Sequence, residues 1–172
     1  RVVDYSGENG FDAGPEPAEA LADALNGSPD PVSAGGNSII EACAERQGIG
    51  LVIGKNGRAG GTIRAVQPGF FRDGGAVMGL VSVIGGSARL EAPSDAVLGK
   101  KIASDLGIEV GDSFRVLTMR TGARGRTVPR FTQFTLRGIV SSGYQELDAL
   151  WVFIPFRTGC GILSPDSSQT FV

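Results

Sequence analysis

Glycine punctuates this chain so densely that no long regular element can run through most of it. There are 27 glycines in 172 residues. Glycine is disfavoured inside helices and strands and favoured in turns and bulges. The pattern predicts many short strands joined by tight turns, with only two stretches reading clearly as helix. The length suits one domain or two small subdomains, and it is enough to bury a real core. The net charge of −2 gives the whole molecule no long-range pull toward nucleic acid or anionic lipid. Any basic site must therefore be local.

Composition removes several chemistries. The chain has no histidine, which excludes most zinc sites, Ser-His and Cys-His nucleophile pairs and the usual pH switch. No catalytic residue, metal site or cofactor is expected. Cys43 and Cys160 lack CxxC spacing. They could pair in an oxidising compartment or be two small buried hydrophobes, and sequence leaves both readings open. No apolar run approaches the roughly 18–20 residues of a membrane span, and no signal peptide is visible. The chain opens at Arg1 without a methionine, so it is expected to be a piece of a longer protein.

Local patterns give the element order. Residues 1–5 read as the end of a strand and 6–17 as a loop. Residues 17–27 read as a helix, with Pro17 in the first turn, Leu21 and Leu25 on one face and Asn26-Gly27 as the stop. Residues 28–36 form a second loop and the best subdomain boundary. Residues 38–46 suit a strand better than a helix. Residues 49–66 read as two strands around the hairpin dipeptide Asn56-Gly57. Residues 76–90 suit one buried strand, or a helical turn followed by a strand. Leu98, Ile102 and Leu106 line one face of a helix starting near Gly99. Gly107 fits its left-handed stop, and Gly111 fits a turn that needs positive φ. Strands follow at 113–119 and 131–140, the latter with Phe134, Leu136 and Val140 on one face. Residues 141–148 read as a loop. The apolar run 149–156 should be a central strand covered on both faces. The tail starts as a possible helix and ends polar. The fold class is α+β, with a β-rich block interrupting a small sheet-and-helix unit.

Few motifs suggest chemistry. Gly48–Gly57 brushes against the phosphate-binding P-loop. However, Gly54-Lys55 is followed by Asn56 instead of Ser or Thr, and Ile49 stands where the first glycine belongs, so a hairpin is the better reading. Glu146 and Asp148 read as solvated loop carboxylates, not as an acid–base pair. The remaining candidate is the run 120–130, RTGARGRTVPR, joining two strands that should be neighbours. It is about twice the ordinary hairpin length of roughly 2–5 residues, so it should project as an arm. Arg120, Arg124, Arg126 and Arg130 could meet partner carboxylates, or could serve only solubility; composition alone does not choose.

Residues 96–117, AVLGKKIASDLGIEVGDSFRVL, and 134–156, FTLRGIVSSGYQELDALWVFIPF, resemble the extracytoplasmic domain of ABC-transporter permeases of the lipoprotein-releasing (Lol) type, within the wider MacB/FtsX-like group. Leu98-Gly99, Leu106-Gly107, Gly111-Asp112, Gly138, Gly143 and Asp148 look like the matching positions, with Ile102-Ala103 where the family has a Leu-Ala or similar pair. The upstream GTIRAVQPGFF (61–71) is similar to another family segment, with Ala65 where glycine is usual. The resemblance is partial between 38 and 95 and weak before 38.

The resemblance implies a domain at the periplasmic face of the inner membrane that does no chemistry itself. It implies a porter-like α+β part (1–36 and 93–172) interrupted by a sabre-like β-rich part (37–92). It implies a second permease subunit and a cytoplasmic ATPase subunit as partners, and no nucleic acid. In lipoprotein-releasing members a hairpin hook recruits a periplasmic lipoprotein carrier. Here the hook position falls on residues 119–133. That makes Arg120, Arg124, Arg126, Pro129 and Arg130 the expected partner-binding residues. Other members of the group act in efflux or mechanotransmission and contact a periplasmic adaptor.

Overall fold

The structure is a computed structural model that describes residues 16–26, 42–121, 127–163 and 169–171. In chain order these form α1 (Glu16–Asn26), β1 (Glu45–Gly54), β2 (Gly57–Val66), a 3-10 turn (Val77–Gly79), β3 (Ser82–Gly86), β4 (Asp95–Gly99), α2 (Lys100–Leu106), β5 (Ser113–Thr121), β6 (Thr127–Ser141), α3 (Gln145–Asp148), β7 (Trp151–Pro155), α4 (Phe156–Ile162) and β8 (Gln169–Phe171). The strands lie in the order β2-β7-β4-β6-β5-β1, and β1 pairs back onto β2, so six strands close into a ring. The β2–β7 and β4–β6 pairs are parallel and the others antiparallel. β8 extends the ring beside the start of β1, and β3 lies along the end of β6. This is a mixed sheet with helices, the expected α+β class.

Closure gives the ring strands an inside. Val52, Ile63, Leu98, Phe114, Val116, Phe134, Leu136, Val152 and Ile154 fill it. A second core lies outside the ring, where Val97, Val140 and Phe153 meet Phe70, Phe71, Val81 and Ala88. β4 and β7 are thus covered on both faces, which is why both are apolar without alternation. Arg64 ties the two layers together. Its guanidinium stands 5.0 Å from the Phe153 ring, 5.4 Å from Trp151 and 5.6 Å from Phe70. Its Nε and Nη2 donate to the two oxygens of Glu45 at 2.5 and 2.8 Å.

The expected α1, the β1–β2 hairpin, the left-handed Gly107 (φ 62°) and the turn at Gly111 (φ 96°) are all present. Residues 76–90 take the second of their two readings, a helical turn followed by β3. Other expectations need correction. Residues 1–5 lie outside the described residues, as do 38–41 of the strand expected over 38–46. Residues 42–44 are coil and β1 starts at Glu45. The hairpin loop is Lys55-Asn56, one residue earlier than expected, because Gly54 pairs with Gly57. There the Asn56 amide donates to the Leu106 carbonyl at 3.0 Å.

Leu98 belongs to a strand, not to the helical face it shares by spacing with Ile102 and Leu106. All five residues of β4 are buried, so it has no alternation by which to declare itself. Val140 does not share a face with Phe134 and Leu136. The β4–β6 register slips between Ala96 and Val97, which pair with Leu136 and Gly138. That bulge at Arg137 turns Val140 into the outer core. Cys43 packs against the outer core and Cys160 against the ring interior, and no disulfide joins them.

A candidate docking arm and the scaffold that holds it

The positions that carry the family resemblance prove to be scaffold. Gly99 lies against the backbone of Asp148, Gly138 against the Ser87 carbonyl, and a Cβ at either would overlap those atoms. Asp148 is buried, contrary to its reading as a solvated loop carboxylate. It accepts from Ser141 Oγ at 2.7 Å and from the Ser142 amide and Oγ, both at 2.8 Å. It therefore pins the loop that turns β6 toward β7. Asp112 accepts from the Glu109 amide at 2.8 Å and from Lys55 Nζ at 2.6 Å. The Lys55 hydrogen bond is the largest cause holding its carboxyl below the ordinary carboxylate range. Among the described residues no group of three or more His, Cys, Asp or Glu side chains could hold a metal ion. None of their helices is long and apolar enough to cross a membrane.

The expected arm is built differently from an eleven-residue loop. β5 and β6 stay paired through Thr118↔Arg130, Met119↔Pro129, Arg120↔Val128 and Thr121↔Thr127. Only residues 122–126 lie between the strands, so the connection has ordinary hairpin length and the arm is a two-stranded ribbon. Arg124 and Arg126 lie outside the described residues. Pro129 is tolerated in β6 because β4 joins β6 only from Thr135 onward, leaving the ribbon segment with a free edge.

The ribbon has two unlike faces, because alternate residues point opposite ways. One face continues from buried Phe114, Val116 and Thr118 to Arg120, and from Phe134 to Arg130 and Val128. On this face Arg130 Nη1 donates to the Gly161 carbonyl at 3.0 Å, and Arg120 Nη1 reaches the same oxygen at 3.5 Å. The two described arginines therefore face α4. The other face carries the cross-strand pairs Leu117–Phe131 and Met119–Pro129. Phe131 is 58% exposed and Met119 51%. Leu117 pairs with Leu51 of β1, and Ile49, on the same face of β1, is 83% exposed. An apolar row thus runs from the ring surface out along the arm. The spacing Leu117, Met119 and then Pro129, Phe131 carried this period-2 signal in the sequence. Of the four, only Pro129 falls outside the expected strands 113–119 and 131–140.

The fold is similar to that of an ABC-type transporter's extracellular domain. The crystal structure of the extracellular domain of the noncanonic ABC-type transporter YknZ from Gram-positive bacteria matches 90% of this chain and 72% of its own, with a TM-score of 0.52 at 12% identity. No family model matches the sequence. Among curated proteins, the lipoprotein-releasing system transmembrane protein LolC of Xylella fastidiosa, in strains Temecula1 and 9a5c, is 43% identical over 53 residues. That segment is 30% of this chain and 13% of the relative's length. The resemblance to ABC-permease extracytoplasmic domains thus has both a fold match and a sequence match behind it.

Proposed function

We propose that this chain is the extracytoplasmic domain of an ABC-transporter permease of the lipoprotein-releasing type, at the periplasmic face of the inner membrane, and that the β5–β6 arm docks a periplasmic lipoprotein carrier. The observation that carries this reading is the apolar row Leu117, Phe131, Met119 and Pro129, presented on a ribbon that leaves the ring. A monomeric domain gains nothing by holding Phe and Met in water, whereas a binding face does. Arg120 and Arg130 lie on the opposite face of the same ribbon, against α4, and Arg124 and Arg126 complete the basic set in the sequence. In this reading the domain does no chemistry; a cytoplasmic ATPase subunit and a second permease subunit complete the transporter. The porter-like (1–36, 93–172) and sabre-like (37–92) division goes with the same reading.

The test is titration of the cognate carrier onto the chain. Met119→Ala/Phe131→Ala should weaken binding by about tenfold or more, as expected for buried apolar anchors at an interface. Replacing Arg120, Arg124, Arg126 and Arg130 together should flatten the salt dependence of association. Unchanged affinity in the double variant sinks the docking role. The resemblance to the wider MacB/FtsX-like group leaves a second reading, an efflux or mechanotransmission domain that contacts a periplasmic adaptor. Binding of an adaptor and not of a carrier would select it.

A further inference from the structure

We infer that α4 sets the position of the arm, and that Thr118, Arg120 and Arg130 are the positioning residues that couple the two. A helix leaves its last carbonyls without intrahelical donors. In α4 the last two such carbonyls are satisfied by the root of the arm. Thr118 Oγ1, fully buried, donates to the Ile162 carbonyl at 2.9 Å. Arg130 and Arg120 donate to Gly161 at 3.0 and 3.5 Å. Cations at a helix C-terminus also oppose the negative end of its dipole. All three donors lie on the ribbon face opposite the apolar row, so they fix the direction in which that row points.

The rest of α4 is held by other parts of the molecule. Arg157 pairs with Glu19 of α1 at 2.8 Å. Thr158 Oγ1 donates to the Pro93 carbonyl, just before β4, at 2.8 Å. Gly159 lies so close to Ala65 of β2 that a Cβ would overlap it. One seven-residue helix therefore touches α1, the approach to β4, the ring wall and the arm. A small displacement of α4 against Ala65 has to move the Gly161 and Ile162 carbonyls, and with them the ribbon. The inference rests on the docking reading only for its consequence, that α4 controls how the docking face is presented.

The experiment is amide hydrogen exchange on the whole chain without any partner, with β4 as internal reference. Arg120→Ala/Arg130→Ala should raise exchange at least tenfold at the amides of residues 119–121, 127, 128, 130 and 160–163 together, and leave β4 unchanged. Arg120→Lys/Arg130→Lys should restore much of the protection, since an ammonium can still donate to Gly161. Gly159→Ala, which touches Ala65 and Ile154 and not the arm, should raise exchange in the arm as well. A rise confined to α4, or to the arm, in these variants overturns the coupling. Failure of a carrier to bind the wild-type chain would remove the docking reading and leave the exchange result standing.

Discussion

Asp95 is a buried carboxylate that stays ionised, and its donors explain how. Burial pushes its pKa up, but the amides of Ala92 and Glu91 and the Arg137 guanidinium together pull it below the ordinary 3.8. The Ala92 and Glu91 amides donate to Oδ2 at 2.7 and 3.0 Å, and Arg137 Nε to Oδ1 at 2.8 Å. Because the folded pKa is depressed, the contribution is present above the unfolded value and lost as pH falls through the folded one. Asp95→Asn should cost about 1–3 kcal/mol at neutral pH, the scale of hydrogen bonds to a charged group. In urea titrations the gap between the two proteins should narrow as pH falls below 3.8 and through the depressed folded value. Cys160 goes the other way, its thiol pushed up by burial despite nearby Arg46. Sequence could show neither effect. Asp95 and Arg137 are 42 positions apart and meet only because β4 pairs with β6.

At the scale of elements, the unit from α2 through the Gly111 turn to β5 is where sequence and structure agree most closely. Gly107 caps α2 in the left-handed region, its amide donating toward Ala103 and Ser104. Gly107→Ala adds the left-handed penalty of about 1–2 kcal/mol and meets the Asn56 side chain. The expected result is a lower thermal midpoint with the β5–β6 ribbon still formed, checked by calorimetry and by cross-strand nuclear Overhauser contacts. The helix end was legible because the conformation it requires belongs almost to glycine alone. The arm was half legible. Its place between two neighbouring strands followed from the chain order. Its partition into an apolar row and a basic face depended on the strands continuing past Met119 and starting before Phe131. The resemblance makes Arg120 and Arg130 partner-facing residues, and only the structure shows their contacts with the Gly161 carbonyl.

At the scale of the molecule, two cores share their walls. Leu98 and Val97 are neighbours in β4, yet one faces the ring interior and the other the outer layer. Val152 and Phe153 divide in the same way along β7. Leu98→Ala should cost about 2–5 kcal/mol, the range for emptying a packed aliphatic site. Phe71→Ala, in the outer layer, should lower stability without producing a separate transition, because β4 and β7 belong to both cores. Denaturation followed by far-UV dichroism and by fluorescence of Trp151, the single tryptophan, should give coincident curves for both variants. An early fluorescence transition in Phe71→Ala would show instead that the outer layer melts alone.

By itself the sequence determined the things that depend on a residue and its near neighbours. These are the glycine stops and turns, the hairpin, the doubly covered strand β7, the α+β class and the ordered motif that resembles permease domains. Each rests on a local conformational demand or a short period, which one dimension can record. Only the tertiary structure decided that six strands close into a ring, that Asp95 meets Arg137, that Cys43 and Cys160 serve different cores, and that two arginines of the arm hold α4. Those outcomes depend on which strand pairs with which and on a one-residue bulge that exchanges the faces of β6. Both are set by long-range burial, which no short stretch of the chain encodes.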